Sequence, residues 1–230
     1  MNLSERMKSY EDATRLEKGV VILRVDGKAF HTWTKQIKAR KPFDYTVQLA
    51  MLDATKETAK HMQGFKLAYT QSDEATFMLA NLGEKEAGWF DYKLAKLTSV
   101  TSSLFTYYFN RSFLSEESMW DFPPAIFDAR AFNIPLADAP NAFVWRQQDW
   151  KRNSVAMLAQ SLSSHKELMG KNIYQQMEMC EKAGKNWDDL YPIEKYGSFV
   201  ASDENVYHQY ANYQELASLM DMEIDILDPV

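Results

Sequence analysis

An aliphatic run near the start of the sequence ends directly against an acid and a glycine. The run reads GVVILRVDG, and its last two residues are Asp26 and Gly27. Aliphatic and β-branched residues follow one another there without helical spacing, which predicts a buried strand over residues 19–26. That strand therefore ends in a carboxylate. Its function depends on which other residues the fold places beside it.

The segments that follow predict a β-α-β-β-α-β order. Residues 27–43 have the pattern of a loop. A helix over 44–62 is capped by Asp44, a hairpin joins strands 65–70 and 75–80 through the turn QSDE, a second helix covers 89–109, and an extended segment covers 125–135. This order is that of a ferredoxin-like fold, an α/β fold of the α+β kind, in which the first and third strands are antiparallel neighbours.

The C-terminal part of the chain has mostly helical patterns, clearest over residues 141–183. We detect no repeat, low-complexity tract or linker. The expected division is a catalytic core over 1–140 and a mainly helical elaboration over 141–230, both within one compact unit.

The ferredoxin-like order brings two acidic segments together. The end of the first strand lies beside the start of the third, so Asp26 is expected next to Ser72, Asp73 and Glu74. Carboxylates held close repel one another unless a cation joins them, and oxygen ligands without His or Cys suit Mg²⁺ bound to substrate phosphates. Taken singly, Asp26-Gly27 and Asp73 are equally well explained as turn residues.

Basic residues supply the second element of the hypothesis. Five lysines are expected near the acids and could neutralise a triphosphate: Lys28, Lys35, Lys41, Lys93 and Lys96. The alternative for each of them is an ordinary position on the surface. The formal net charge is −6, but all 26 lysines and arginines lie at or before Lys195, whereas seven acids follow it. The body of the chain therefore retains local basic segments, KQIKARK at 35–41 and WKR at 150–152.

The composition also limits the class of protein. No stretch approaches the ~18 apolar residues of a membrane span, and the N-terminus is too charged for a signal peptide, so a cytoplasmic protein without membrane contact is expected. The single cysteine, Cys180, excludes an internal disulfide.

An ordered set of motifs resembles one family. The motifs are VILRVDGKAFHTWTK, KPFD, YTQSDEATF, WFDYKLAKLTS, FDARAFNIP and WRQQDWKRNS, spread over roughly residues 10–200. In this order they resemble the tRNA(His) guanylyltransferase and Thg1-like protein family. The resemblance implies a polymerase-like palm, two Mg²⁺ ions, ATP or GTP as activating nucleotide, NTP substrates, tRNA as partner, and nucleotide addition in the 3′-to-5′ direction. It further implies a homo-oligomer, a tetramer or a dimer.

The resemblance also implies roles for individual residues. Catalytic roles fall to Asp26, Asp73 and Glu74, with the metals held by Asp26, the Gly27 carbonyl and Asp73. Nucleotide contacts are implied for Asp26, Gly27, Lys28, Ala29, Phe30, His31, Lys41, Asp44, Ser72, Asp73, Lys93, Lys96 and Arg130. RNA contacts are implied for Arg146, Asp149, Lys151, Arg152 and Asn153.

One departure from the family pattern separates two functions. Lys151-Arg152-Asn153-Ser154 stands where the eukaryotic tRNA(His) enzymes have His-Ile-Asn-Asn, and basic side chains bind phosphate without reading sequence. This favours the Thg1-like branch, which repairs tRNA 5′ ends against a template. The alternatives are a guanylyltransferase that adds G at position −1 of tRNA(His), a non-catalytic tRNA-binding module and, more weakly, a nucleotide cyclase.

Overall fold

A six-stranded antiparallel sheet organises the chain. The computed structural model describes residues 2–11, 14–83, 87–114 and 122–221. The strands lie in the order β4-β1-β3-β2-β5-β6 and are β1 (Val20–Gly27), β2 (Phe65–Gln71), β3 (Glu74–Ala80), β4 (Phe127–Ile134), β5 (Ser198–Ala201) and β6 (Val206–Tyr207). The first four follow the ferredoxin-like order, which confirms the predicted fold class.

Helices cover both faces of this sheet. They are α1 (Leu3–Lys8), α2 (Phe30–Gln36), α3 (Tyr45–Ala59), α4 (Leu94–Phe113), α5 (Ala139–Leu162), α6 (His165–Leu168), α7 (Ile173–Lys182), α8 (Pro192–Tyr196) and α9 (Tyr213–Leu219). None of the helices in the described ranges is both long and apolar enough to cross a membrane.

One face of the sheet packs against α3 and α4. Alternate residues of β1, Val21, Leu23 and Val25, point to this side because successive strand residues face opposite ways. Leu97 and Phe105 of α4 complete the same buried cluster. This cluster is the main core.

The opposite face packs against α5 and α9 over only part of its length. Val20 and Ile22 of β1 are buried there with Phe143 of α5 and Leu216 of α9. At the other end of this face the strands carry polar residues instead, and Arg24 and Asp26 are partly exposed. The polar end of this face is the region from which a functional site can be built.

Two elements differ from the predicted pattern. The segment predicted as loop 27–43 contains α2, which begins after Ala29 in a left-handed conformation (φ 50°) and has no side-chain cap, so no capping signal marks it in the sequence. The helix predicted over 89–109 begins at Leu94, because Trp89–Tyr92 forms a short 3₁₀ turn in which Phe90 and Asp91 have positive φ.

The C-terminal part contributes more than helices. β5 pairs with β2, with Tyr69 opposite Phe199, and β6 pairs with β5. The description of residues 141–230 as mainly helical therefore omits two strands that extend the palm-like sheet. Both are shorter than the runs that periodicity can identify.

Candidate metal and nucleotide site

Asp26 and Asp73 meet at one end of the sheet, as the strand order predicts. Asp26 is the Cα partner of Glu74 in the β1–β3 pair, and Asp73 lies in the two-residue turn just before Glu74. The backbone N–H of Gly27 donates to the carbonyl of Asp73 at 3.0 Å. The main chains that bear the two acids are therefore joined directly.

Gly27 is required by this close approach. A Cβ at this position would lie 2.6 Å from Cδ2 of Phe30 and 3.0 Å from Cβ of Asp73. No larger residue fits unless the Phe30 ring or the Asp73 turn moves. The groups that approach Gly27 closely belong to the protein itself.

The carboxylate of Asp73 is held in an environment that disfavours its charge. Burial raises the pKa of Asp73 above its usual value, and the neighbouring charge of Asp26 adds to the rise. The hydroxyl of Ser72 donates to Oδ1 of Asp73 at 2.9 Å and opposes this shift. Two carboxylates in this arrangement gain from a shared cation.

The donor set suits Mg²⁺ better than a tightly caged metal. Within residues 2–11, 14–83, 87–114 and 122–221, no group of three or more His, Cys, Asp or Glu side chains converges. Mg²⁺ commonly takes one or two carboxylates together with waters and substrate phosphates. Asp26 and Asp73, with the carbonyl of Gly27, fit that requirement.

Asp128, on the strand next to β1, is an acid near Asp26 that the sequence analysis did not identify. It is the Cα partner of Asp26 on β4 and is exposed. The strand alternation of FDAR puts it on the same face as Arg130, two residues further on. Its position could have been inferred once β4 was paired with β1, since the antiparallel register is then nearly fixed.

The Glu74 side chain is bound by an arginine of α5. Arg146 Nε donates to Oε1 of Glu74 at 2.7 Å, and Arg146 Nη2 donates to Oε2 at 2.8 Å. The side chains are 7% and 12% exposed, respectively. Both carboxylate oxygens are therefore occupied, which favours a supporting role for Glu74 over metal ligation. Arg146 was predicted to contact RNA, but its side chain is in the interior of the protein and is not placed to do so.

Arg24 and Trp145 were also missed by the sequence analysis. Burial lowers the pKa of Arg24, against the opposing effect of Glu74, whose Oε1 lies 3.7 Å from Arg24 Nε. The Arg24 guanidinium lies 4.9 Å from the centre of the Trp145 ring, a cation–π distance. Arg24 is paired across the strands with Arg130, so the acid end of the sheet also holds positive charge.

A cleft of about 590 Å³ opens beside Asp73. It lies between the α2–α3 segment and α5, and its wall includes five of the residues predicted to contact nucleotide besides Asp73 itself. These are Phe30, His31, Lys41, Asp44 and Ser72. The wall is basic, because Lys35, Lys38 and Arg40 line it as well. A cleft with this charge beside an acid pair suits a polyphosphate bound together with metal.

Some predicted nucleotide contacts have structural partners that limit their role. Both carboxylate oxygens of Asp44 cap the backbone: Oδ1 accepts from Thr46 and Val47, and Oδ2 accepts from Arg40. The ring of Phe30 packs 4.8 Å from that of Trp33 in the core. Lys28 and Ala29 are exposed just outside the acid pair.

Lys93 and Lys96 do not lie beside the acid pair within one chain. The end of the sheet that carries Gly27 is contacted by the later part of α4, where Thr106 accepts a hydrogen bond from the N–H of Phe127, the strand partner of Gly27. Lys93 precedes Thr106 by 13 residues, about 20 Å of helix. The prediction that these lysines lie near Asp26 and Asp73 is therefore wrong for the single chain.

The remaining predicted RNA contacts lie on α5. Lys151, Arg152 and Asn153 are exposed, and Lys151 Nζ lies 5.4 Å from the centre of the Trp187 ring. Arg152, whose side chain is 63% exposed, pairs with Asp149, which also accepts from Arg146 at 2.9 Å. Asp149 thus links the exposed surface of α5 to the buried Glu74–Arg146 pair.

Three comparisons with known proteins agree with this geometry. A family model described as tRNAHis guanylyltransferase, Thg1, matches residues 4–135. A bacterial Thg1-like protein solved with ATP is 33% identical with a TM-score of 0.88, covering 96% of this chain and 98% of that one. A bacterial Thg1-like protein solved with GTP is 31% identical with a TM-score of 0.75, covering 94% of each chain.

Curated relatives are similar over a shorter part of their length. A probable tRNA(His) guanylyltransferase of Drosophila melanogaster is 32% identical over 137 residues, which are 59% of this chain and 41% of the relative. A probable tRNA(His) guanylyltransferase of Dictyostelium discoideum is matched over 59% of its length. The chain thus spans about half the length of these relatives. With more than half of its residues matched by the family model, the chain belongs to the tRNA(His) guanylyltransferase (Thg1) family.

Proposed function

We propose that this chain is a template-dependent 3′-to-5′ RNA nucleotidyltransferase that adds or repairs nucleotides at the 5′ end of tRNA. The observation that supports this most directly is the convergence of Asp26 and Asp73 at the end of a basic cleft. Family membership narrows the chemistry to nucleotide transfer onto tRNA, and the cleft has the charge that a nucleoside triphosphate requires.

The proposed reaction has two transfers. In the first, an oxygen of the tRNA 5′-monophosphate attacks the α-phosphorus of ATP or GTP, and pyrophosphate leaves. In the second, the 3′-hydroxyl of an incoming NTP attacks the 5′-phosphorus of the activated end, its proton passes to solvent, and the nucleoside monophosphate leaves. The protein's contribution is mainly positioning and electrostatic stabilisation.

The residues at the acid end of the sheet have distinct parts in this proposal. Asp26, the Gly27 carbonyl and Asp73 would hold two Mg²⁺ ions, whose chemistry when bound would be activation of the attacking oxygen and stabilisation of the leaving one. Arg146 holds Glu74 in place through two hydrogen bonds, next to the turn that bears Asp73. Lys41 and Ser72 line the cleft where phosphates would lie.

Template pairing is favoured over recognition of one tRNA. The exposed basic pair Lys151 and Arg152 is suited to the phosphates common to all tRNAs, whereas identity requires contacts with bases. The second candidate is addition of G at position −1 of tRNA(His), and it is favoured by the names of the curated relatives. A non-catalytic binding module is disfavoured, because it would gain nothing from two acids held in repulsion.

The decisive experiment is nucleotide addition to tRNAs that lack their first 5′ nucleotide. The facing 3′-strand base is varied through all four choices, all four NTPs compete, and the product 5′ ends are sequenced. We expect the added nucleotide to follow the Watson–Crick complement in tRNAs of several identities. Addition of guanine only, opposite any base and only to tRNA(His), would establish the second candidate instead.

Two variants complete this test. Asp26→Ala should abolish both transfers, because loss of one ligand disorganises both metal sites. The double change Lys151→Ala, Arg152→Ala should weaken every tRNA alike and lower the salt dependence of binding by about one unit of slope for each charge removed. Weaker binding of one tRNA alone would contradict a phosphate-binding role for Lys151 and Arg152.

Three further properties belong to the same proposal. Dependence on Mg²⁺ is supported by the oxygen donor set and is tested by restoring activity to chelator-treated protein with each divalent cation. A homo-oligomer, tetramer or dimer, is tested by light scattering of the purified protein. A cytoplasmic location is tested by fractionation of the cells that express it.

A further inference from the structure

The segment that leads from the end of α2 towards α3 is strongly basic and exposed. Residues 35–41, here called the basic segment, carry four cations with exposed side chains: Lys35, Lys38, Arg40 and Lys41. Within the part of the chain that the structure describes, none of these four side chains forms an ion pair. Their charge is therefore free to attract an anion from solution.

The acids nearest to the basic segment do not neutralise it. Among the described residues that line the cleft, only Asp44 and Asp73 are acidic. Asp44 uses both carboxylate oxygens to accept hydrogen bonds from backbone N–H groups. Asp73 lies with Asp26 at the end of the sheet where a metal would bind. The cleft wall thus keeps an excess of positive charge.

Part of this charge lies away from the acid pair. The ring of Phe30, at the start of α2, lies against Gly27, where a Cβ would be 2.6 Å from it. Lys35 follows Phe30 by five residues of this helix, which is about 8 Å. Lys38 lies beyond the end of the helix. The helix therefore carries these two lysines away from Gly27.

The cleft is also long, and its other wall is uncharged. α5 lines it from Trp150 to Ser161, about 16 Å of helix, and contributes Met157 and Gln160 between them. A nucleoside triphosphate carries its charge at one end, whereas its ribose and base are neutral. An RNA strand repeats a phosphate at every nucleotide. Cations spread along one wall of such a cleft match an RNA strand better than a single nucleotide.

We infer that the basic segment binds backbone phosphates of the tRNA acceptor stem, the double-stranded part that ends at the 5′ nucleotide. This inference rests on the proposed function, which places the 5′ end at Asp26 and Asp73. From there, Lys35 and Lys38 reach only the phosphates close to that end. Phosphate contacts position the RNA without reading its sequence, so the segment serves tRNAs of every identity.

Equilibrium binding of three probes tests this assignment: a whole tRNA, an RNA hairpin that contains only the acceptor stem, and ATP with Mg²⁺. Lys35→Ala with Lys38→Ala should weaken both RNAs about tenfold at about 50 mM salt and hardly at about 200 mM. The reason is that the slope of log affinity against log salt falls by about one unit for each lost phosphate contact. ATP affinity at about 0.1 M salt should change less than about twofold, because charges more than about 10 Å from the triphosphate are largely screened.

Two further double variants are the controls. Lys35→Arg with Lys38→Arg keeps the charge and should bind both RNAs as wild type does. Lys182→Ala with Lys185→Ala removes the same charge at the C-terminal end of α7, outside the cleft wall, and should leave RNA affinity nearly unchanged. Thermal unfolding establishes that each variant is folded. Because Lys38 has a left-handed backbone (φ 55°), Lys35→Ala alone tests the inference if the double variant is unfolded, with a loss of one unit of slope.

Four results would each overturn the inference. Unchanged affinity for both RNAs would show that the lysines contact no phosphate, and equal losses for ATP and RNA would show that they serve the nucleotide. An equal loss in the α7 variant would show that net charge alone is responsible. A loss for whole tRNA without a loss for the hairpin would place the contact outside the acceptor stem.

The same measurements separate this inference from the proposed function. If RNA binding shows the expected losses but the wild-type chain adds no nucleotide to any tRNA, the RNA contact is supported and the proposed reaction is overturned. If the wild-type chain extends tRNA but the alanine double variant binds both RNAs as wild type does, the reaction stands and the RNA contact is overturned.

Discussion

Burial of the Asp73 carboxylate opposes its charge, and the same carboxylate is a proposed metal ligand. Its turn holds the carboxylate partly buried beside Asp26, and this raises its pKa. The folded protein therefore binds the proton of Asp73 more tightly than the unfolded chain does. Its contribution to stability is present at acid pH and is lost as the pH rises through the folded-state value.

The first prediction concerns this loss. Asp73→Asn removes the ionisable group, so without divalent cations the variant should gain stability over wild type as the pH rises from about 4 to 7, and Mg²⁺ should stabilise only wild type. The measurement is urea unfolding at several pH values, with exposed Asp189→Asn as the control. Parallel pH profiles for wild type and Asp73→Asn would contradict the prediction.

The second prediction concerns the Glu74–Arg146 pair. Arg146→Met leaves the Glu74 carboxylate, 12% exposed, without its bidentate partner, and should lower the free energy of unfolding by about 3 kcal/mol. Arg152→Met breaks an exposed pair and should cost less than about 1 kcal/mol. Chemical unfolding measures both, and adding Glu74→Gln to Arg146→Met should recover part of the loss. A loss no larger than that of Arg152→Met would show that the buried pair is unimportant.

At the scale of elements, α4 and the α2–α3 segment differ in their relation to the site. The later part of α4 reaches the acid end of the sheet through Thr106, and its N-terminus is about 20 Å away. The α2–α3 segment places Lys41 in the cleft wall beside Ser72 and Asp73. Lysines from the two elements should therefore differ in their effect on nucleotide binding.

The third prediction follows from this difference. Lys41→Ala should weaken ATP binding several-fold, and the effect should shrink as salt screens the charge. Lys93→Ala and Lys96→Ala should leave the affinity for ATP unchanged in the absence of tRNA. Fluorescence or calorimetric titration at two ionic strengths distinguishes these effects. Equal weakening by all three changes would mean that the N-terminus of α4 reaches a nucleotide after all, through a neighbouring subunit.

At the scale of the whole molecule, the sheet continues from the palm-like core into the C-terminal part. Phe199 of β5 is fully buried, 4.6 Å ring to ring from Tyr69 of β2, and also contacts Phe143 of α5. The two parts share this cluster and a strand pair. They should therefore unfold together.

The fourth prediction tests that coupling. Phe199→Ala should destabilise the protein by about 3–5 kcal/mol, the usual cost of removing a buried phenylalanine, and a single unfolding transition should persist. Tyr174→Ala, on an exposed residue of α7, should change stability by less than about 0.5 kcal/mol. Two separate transitions in wild type, seen by calorimetry, would show that residues 141–230 fold as an independent unit.

Much of the fold and of the acid site follows from local sequence patterns. The aliphatic run of β1, the hairpin around Ser72-Asp73 and the capped helix after Asp44 each have a distinct signal, and their order determines which strands are neighbours. That order alone brings Asp26 to Asp73. By contrast, α2 was missed because it begins without a cap, and β5 and β6 were missed because two to four residues show no period.

What the tertiary structure alone decided is the direction and partner of each side chain. Glu74 follows Asp73 immediately in the sequence, and successive strand residues face opposite ways. The Glu74 side chain is therefore bound to α5, through the buried guanidinium of Arg146. The distance between Lys93 and the acids depends on the direction in which α4 crosses the sheet. The sequence of α4 by itself does not determine that direction. The partner of Glu74 becomes visible only when β3 and α5 are packed, because satisfaction of a buried polar group depends on its neighbours in space and not on its neighbours in sequence.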